Sequence, residues 1–369
     1  MSAAIDLTLY PLSFSGGGAE RVLVDLANGA AETGLQTEIV VNKPGGVLES
    51  SLKSNVGISA LNVPNSIFGP VFLARHLALS RPKAMISAMP LANCSAIIAK
   101  TLSRSKCRLI ISEHSVASRL YGINGLSANQ RLKPIAKILY PRADHIVAVS
   151  QGASQDLSNT LGLDLKRITP IYNPVDIERV NAQAKEPCFH PWIAKRKELV
   201  IVACGRLEIP KAYDILIQAF ADLQHCLPSK LIILGEGRLR RTLMDQVVSL
   251  NLSDKIDMPG FVKNPHAFIS RADLFILSSR WEGFGNVLVE ALACGTRIVS
   301  TDCDTGPREI LEDGRYGTLV KPDNPRALTE GMLTQLRSSN TNPTALKSRA
   351  AEFSSQAAIN RYLELADLV

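Results

Sequence analysis

Short apolar runs alternate along this chain with stretches whose apolar residues recur at helical spacing. Ile5–Tyr10, Thr37–Val41, Ile58–Val63, Ala84–Ala88, Arg108–Ser112 and Ala143–Ser150 read as strands in the first half. Helices are expected from the glycine loop at Gly16 to about Thr33, and over Gly69–Leu79, Ala92–Leu102 and Asn129–Tyr140, the last with Pro134 near its start. The second half repeats the alternation, with strands expected at Leu199–Cys204, Leu231–Leu234, Ala272–Leu277, Ile298–Thr301 and Gly317–Pro322. Its helices are expected over Val287–Cys294, with Asn286 as cap and Gly295 as left-handed stop, and then over 324–336 and 343–368. Strands that are apolar throughout and alternate with helices imply parallel sheets covered on both faces. The fold class is therefore α/β.

Length divides this pattern in two. At 369 residues the chain is long for one core. The expected division is 1–176, a polar linker at 177–197 holding Pro187 and Pro191, a second domain at 198–350, and a final helix at 351–369. A composition of 46% apolar and 20% charged residues is that of a folded globular protein. The seven cysteines are scattered without a C-x-x-C pair, which reads as reduced thiols in a cytoplasmic protein. The histidines lack metal-ligand spacing, so no metal and no cofactor is expected. The start, MSAAIDLTLYPL, lacks the basic and apolar blocks of a signal peptide, and no apolar run approaches the length of a membrane span.

The charge is lopsided. The first 175 residues hold 17 of the 41 Lys and Arg but only 10 of the 34 Asp and Glu, so they carry the whole net charge of +7. The excess concentrates between Lys100 and Arg142, where Glu113 is the one acid. This reads either as a solvated basic face or as contact with anionic lipid headgroups or a phosphate-bearing acceptor. Nucleic acid is not expected, because no nucleic-acid motif accompanies the charge. The segment from Leu126 to Tyr140, with Leu132, Ile135, Ile138 and Leu139 beside Arg131, Lys133 and Lys137, is either an interfacial helix or an ordinary core-facing one.

Candidate chemistry gathers where strands end. Ser13–Arg21 holds Gly16, Gly17 and Gly18 between a strand and a helix, the opening of a Rossmann-like unit or simply a tight turn. Neither it nor Gly235-Glu236-Gly237 completes G-x-G-x-x-G, and no P-loop follows, so a nicotinamide or P-loop nucleotide is a poor assignment. Glu113, His114 and Ser115 end another strand, where His114 is either structural or a hydrogen-bonding group of a site. Arg206 and Lys211 follow the first strand of the second half; they are ordinary loop charges or a pair that neutralises a diphosphate. Trp281-Glu282-Gly283-Phe284-Gly285-Asn286 then leads from a strand into a helix N-terminus, a setting that suits a phosphate. From spacing alone, Glu282 and Glu290 are either two surface charges or a hydroxyl-binding pair.

The letters around that pair go further. Glu282-Gly-Phe-Gly-Asn-Val-Leu-Val-Glu290-Ala-Leu-Ala-Cys-Gly-Thr, continued by Ser300-Thr301-Asp302 and Gly306-Pro307-Arg308-Glu309, resembles the E-x7-E signature of retaining glycosyltransferases of family 4. Gly205-Arg206-Leu207 with Lys211, Gly235-Glu236-Gly237, and Asn173-Pro174-Val175-Asp176 resemble further segments of that family, with Ala212 where it has a second glycine. The resemblance implies the GT-B fold, two Rossmann-like domains facing each other across a cleft, with the last helix crossing back to the first domain. It implies that Glu282 meets the donor sugar, that Glu290 holds the donor ribose, and that backbone N–H groups of Gly285, Asn286, Val287 and Leu288 meet the diphosphate. Arg206 and Lys211 would hold that diphosphate, backbone groups at Phe261 and Val262 the base, and Gly16, Gly17 and His114 the donor and acceptor. The activity implied is that of a metal-independent, retaining, hexosyltransferase-type enzyme. It would move sugar from a nucleotide-diphosphate sugar, UDP-linked by expectation, to a saccharide or lipid-linked saccharide in bacterial surface-polysaccharide or glycolipid assembly. Another GT-B chemistry such as a sugar-nucleotide epimerase, and a non-catalytic partner subunit, stay open alternatives.

Overall fold

The computed structural model describes residues 4–122, 127–338 and 342–369. Two compact units result: one runs to Pro174 and includes Ser355–Val369, and the other is Val175–Ser354.

The first unit is a seven-stranded sheet: β1 (Leu7–Leu12), β2 (Thr37–Val41), β3 (Gly57–Ala60), β4 (Ala84–Ala88), β5 (Arg108–Glu113), β6 (His145–Ala148) and β7 (Ile168–Pro170). The spatial order is β3-β2-β1-β4-β5-β6-β7, and every pairing is parallel. All residues of β2 and β4 are buried, so neither strand alternates between a core face and a solvent face; the buried Glu38 of β2 is satisfied by Thr8 Oγ1 at 2.8 Å. The core joins Leu9, Leu23, Leu26, Ile39 and Val147 to Ile359, Tyr362 and Leu363 of the C-terminal helix Ser355–Leu365. Gly29 permits that docking, since a Cβ there would lie 2.0 Å from Ile359 Cδ1.

The second unit has six parallel strands: β8 (Leu199–Cys204), β9 (Ser229–Leu234), β10 (Ile256–Gly260), β11 (Leu274–Leu277), β12 (Ile298–Thr301) and β13 (Thr318–Val320). Their order is β10-β9-β8-β11-β12-β13. Ile201, Leu216, Phe220, Ile233, Leu274 and Met332 centre its core. In both sheets the order reverses beside the first strand, at β1/β4 and at β8/β11. Ligands of open parallel sheets bind outside the carboxyl ends of the strands at such a point.

Four expectations change. The stretch 177–197 is not an unstructured linker: it forms the helices Ile177–Lys185 and Pro191–Ala194 within the second unit. Asp176 caps the first of them by accepting from Arg179 N at 2.9 Å. Residues 343–368 form two helices, Pro343–Ala351 and Ser355–Leu365, and the chain changes units at the break between them. Pro134 lies inside the helix Ser127–Leu139 rather than near its start, the helix beginning two residues earlier than expected. Leu126, at the start of the expected amphipathic segment, lies outside the described residues. Of that segment's apolar stripe, Leu139 is buried while Ile135 and Ile138 are exposed, so the stripe only partly serves the core.

Candidate functional site

The reversal at β8/β11 places two loops side by side, the one after β8 carrying Arg206 and Lys211 and the one after β11 carrying Glu282. Lys211 Nζ lies 2.5 Å from Glu282 Oε1, and Ser279 Oγ donates to the same oxygen at 2.5 Å. Both side chains are largely buried, so removing either partner strands the other's charge. Arg280 fastens one loop to the other. Its backbone N–H donates to Pro210 O at 2.7 Å and its Nη1 to Ile209 O at 2.9 Å. Its guanidinium also pairs with Asp214 and Asp323, each at 2.7 Å. Asp214 above all holds Arg280 charged, above the ordinary arginine range. Ser278 Oγ adds a bond to Lys211 O at 2.7 Å.

The path through Lys211 depends on Ala212, which sits at φ 49°, ψ 42°. An L-residue with a side chain enters this left-handed region at a cost of about 1–2 kcal/mol. The glycine-like backbone is therefore kept, although alanine supplies it. From behind, Thr305 Oγ1 donates to Glu282 O. Gly306, at φ 87°, passes so close that a Cβ would lie 1.9 Å from Phe284 O. The glycine is thus required by contact as well as by conformation.

The helix Asn286–Cys294 follows. Its N-cap is Gly285 at φ 102°, not Asn286, which is already the first helical residue. Gly295 ends it at φ 73° with its N–H on Leu292 O at 2.9 Å. Glu290 lies one turn in, with Oε2 3.3 Å from His266 Nε2, within ion-pair reach but outside hydrogen-bond geometry. The buried His266 is oriented through Nδ1 and Gln183 Oε1, 2.8 Å apart. Burial and then the Glu290 charge push the Cys204 thiol, at the end of β8, up to about 12. That places the carboxylate near the same reversal point.

Arg206 stands exposed on the loop after β8, with no ion-pair partner among the described residues. The next acid on that loop, Glu208, is gripped by Arg238 at 2.7 and 3.1 Å. Phe261 and Val262 follow β10, with the Phe261 ring 80% exposed. Among the described residues, no group of three or more His, Cys, Asp or Glu could hold a metal ion.

In the first unit, Gly16 (φ 97°) and Gly17 follow β1. Gly17 N donates to Glu20 Oε2 at 2.7 Å and Ser13 Oγ to Glu20 Oε1 at 2.6 Å, so this loop is closed onto its own helix. A cavity of about 430 Å³ opens beside it, lined by Leu12, Ser13, Asn42, Lys43, Val63 and Asn65. At the end of β4, Met89 is held at φ 79°, ψ 151°, a region almost confined to glycine. His114 ends β5. Its Nε2 is 2.9 Å from Ser112 Oγ, which is 2.9 Å from Tyr362 OH of the C-terminal helix. Burial lowers the ring to about 4, so at neutral pH it is an uncharged imidazole that can donate or accept but carries no cation. Its neighbour Glu113 is fully buried, bound by Tyr140 OH and by Asn93 Nδ2 at 3.0 Å, and burial raises it to about 7.

Residues 188–353 match the family model of glycosyl transferases group 1, and residues 16–179 match that of Glycosyltransferase Family 4. The chain belongs to this glycosyltransferase family. A similar protein of Campylobacter jejuni, an N-acetylgalactosamine-N,N'-diacetylbacillosaminyl-diphospho-undecaprenol 4-alpha-N-acetylgalactosaminyltransferase, is 35% identical over 63% of this chain and 61% of its own. An uncharacterized glycosyltransferase of Methanocaldococcus jannaschii is 34% identical over 50% of each chain. The matched regions thus span only about half to three-fifths of these two relatives. The lipopolysaccharide core biosynthesis glycosyltransferase LpsE of Rhizobium meliloti is 27% identical over 95% of both chains. Anabaena HepE, solved in complex with UDP-glucose, superimposes with a TM-score of 0.83 at 20% identity over 99% of this chain and 100% of its own. The fold is accordingly the two-domain α/β fold of GT-B glycosyltransferases.

Three contributors to this family site escape a reading of the sequence. His266 and Gln183 hold Glu290 from far away in the chain, and the one hint of them is that a carboxylate on an apolar helix needs a partner. Arg280 lies inside the motif but reads as an ordinary loop cation until its partners are seen.

Proposed function

We propose that this chain transfers a sugar, with retention and without a metal, from a UDP-linked sugar to a hydroxyl of a saccharide or lipid-linked saccharide acceptor. The observation that carries the reading is the Lys211–Glu282 pair at the reversal of the second sheet, locked by Arg280 and backed by Thr305 and Gly306. A donor diphosphate competes with Glu282 for the Lys211 ammonium. When it wins, the freed carboxylate accepts hydrogen bonds from the sugar hydroxyls. Arg206 and Lys211 then stabilise the negative charge that grows on the leaving diphosphate, a large term in such catalysis. The acceptor hydroxyl attacks the anomeric carbon on the face the diphosphate leaves, and a phosphate oxygen takes its proton. Support for UDP comes from the HepE complexes, and support for a lipid-linked or lipopolysaccharide acceptor from the Campylobacter and Rhizobium relatives.

The test is a thermal-shift series of the full chain with UDP-, GDP-, ADP- and dTDP-sugars, with and without EDTA, followed by product analysis with the stabilising donor. A ligand at a hundred times its Kd stabilises by about 2.7 kcal/mol, well within detection. Stabilisation by UDP-sugars alone, unchanged by EDTA, and an α-linked product from an α-linked donor are the expected results. Loss of the shift with EDTA overturns metal independence, and an inverted product overturns retention.

A further inference from the structure

Glu290 has one neighbour that answers its charge. Among the described residues only His266 lies within ion-pair distance, with Nε2 3.3 Å from Glu290 Oε2. Two thiols also feel the carboxylate, Cys204 at the end of β8 and Cys294 at the end of its own helix. Burial first and then Glu290 push each of them up to about 12, so neither carries charge at neutral pH. His266 is 3% exposed, whereas the Glu290 side chain is 23% open. The imidazole is thus the inner member of the pair and the carboxylate the outer one.

The ring is fixed from its other side. Gln183 Oε1 lies 2.8 Å from Nδ1. A carbonyl oxygen only accepts, so Nδ1 carries the hydrogen and Nε2 is left facing Glu290. Gln183 is itself tied down, because its backbone carbonyl accepts from Asn264 Nδ2 at 2.9 Å. Asn264 Oδ1 accepts in turn from Ala267 N, in the short helix His266–Ile269, at 3.2 Å. The far end of that helix is pinned to the residue after Gln183: Ser270 Oγ and Arg271 Nη1 donate to Ala184 O at 3.0 and 3.1 Å.

A histidine buried for packing alone spends both ring nitrogens on hydrogen bonds. Here Nε2 is buried without one and stands against a carboxylate. A glutamate side chain turns freely about its bonds and loses that freedom when it binds a ligand. A fixed neighbour that restricts it beforehand reduces the loss. Resting on the reading that Glu290 holds the donor ribose, we propose that His266, oriented by Gln183, is the positioning residue that turns the Glu290 carboxylate toward the ribose diol. The two residues thereby set the preference for a ribonucleotide over its deoxy analogue. Oε2 stands at the ring, and Oε1, which has no protein partner among the described residues, is left to accept from a hydroxyl. His266 and Gln183 act through Glu290 and not on the reacting atoms.

The experiment is isothermal titration of the full chain with UDP and with 2′,3′-dideoxy-UDP, read as the ratio of the two Kd values. Wild type is expected to prefer UDP by about tenfold, through charged hydrogen bonds to the diol. His266→Phe keeps the bulk of the ring without its nitrogens, and Gln183→Leu keeps the size of the amide without its oxygen. Each is expected to lower the ratio about threefold or more by freeing the carboxylate. Gln183→Glu still accepts from Nδ1 and is expected to keep the wild-type ratio. A merely structural role weakens both ligands alike and leaves the ratio where it was. Gln183 is partly exposed, so Gln183→Leu is expected to fold even where His266→Phe does not, and melting temperatures check both. Glu290→Ala reads the ribose assignment by itself. Wild type that binds both ligands alike or neither, or a ratio that survives Glu290→Ala, overturns that assignment and the inference with it. A ratio lost in Glu290→Ala but kept in folded Gln183→Leu and His266→Phe overturns the inference alone, as does Gln183→Glu that behaves like Gln183→Leu.

Discussion

Lys211 and Glu282 occupy each other until a donor arrives, so their substitution separates binding from chemistry. Lys211→Ala is expected to lower kcat about 10²–10³-fold, as removal of a donor to a developing oxyanion does, with a smaller change in donor KM. Glu290→Gln is expected to raise the donor Kd about tenfold through one lost charged hydrogen bond. Isothermal titration with UDP and steady-state kinetics read the two effects apart. The neighbours Glu113 and His114 make a second residue-scale prediction. Glu113, raised from 4.5 to about 7, contributes stability that is full below pH 4.5 and lost as pH rises to 7. His114, lowered from 6.5 to about 4, destabilises the folded chain as pH falls from 6.5 towards 4. Between pH 5 and 6.5 each slope is worth about 2 kcal/mol, and the two oppose each other. Over that window Glu113→Gln is expected to lose stability on acidification and His114→Gln to gain it, as measured by urea unfolding at both pH values. Parallel behaviour of the two variants contradicts this assignment.

At the scale of elements, the site is a product of loops held by their neighbours. Arg280→Ala removes the carbonyl contact that joins the loop after β11 to Ile209 of the loop after β8, and two ion pairs, one to Asp214 at the start of the next helix and one to Asp323 after β13. It is expected to lower kcat and raise donor KM together while leaving the folded core intact, and a fluorescence titration of Trp281 with UDP checks the binding part. Gly306→Ala drives a methyl group into Phe284 O from a positive-φ position, and a melting temperature lowered by several degrees is expected. The turn at Gly295 and the strands β2, β4 and β12 were legible in the sequence, because local conformation and short runs rich in apolar and β-branched residues signal them directly. The cap at Gly285 in place of Asn286 was not legible. Asparagine is the better capping side chain, but the positive φ at the loop's end is a demand that only glycine meets without strain. The helix Ile177–Lys185 was hidden by its polar composition and Pro191–Ala194 by its shortness; His266 and Asn264 hold the first at Gln183, and Asp257 lies 2.8 Å from His190, the cap of the second.

At the scale of the whole molecule, the chain ends in the unit where it began. Ala358, Ile359, Tyr362 and Leu363 are core residues of the first unit although the entire second unit separates them from β1 in sequence. Each large apolar side chain buried is worth about 1.5–3 kcal/mol, so a chain ending at Ser354 loses an amount comparable with the whole stability of a domain. Such a truncation is expected to unfold the first unit while the second still melts cooperatively, which differential scanning calorimetry resolves. The hydroxyl chain from Tyr362 through Ser112 to His114 would be cut at the same time.

By itself the sequence determined the class of fold, the two-fold alternation of strand and helix, the family, and the residues of the motif from Glu282 to Glu290. These follow from local rules: backbone conformations that glycine permits, apolar periodicity, and letters adjacent in the chain. Only the tertiary structure decided what those residues touch. Lys211 meets Glu282 because β8 and β11 are neighbours where the sheet order reverses, and Glu290 meets His266 because two helices pack. Val71 and Leu79 of the helix Gly69–Ser80 stay at the surface because the helix already buries Leu73, Ala74 and Leu77 on its other side. Periodicity shows which positions of a helix are apolar. Which of them are buried depends on what the rest of the chain places against the helix.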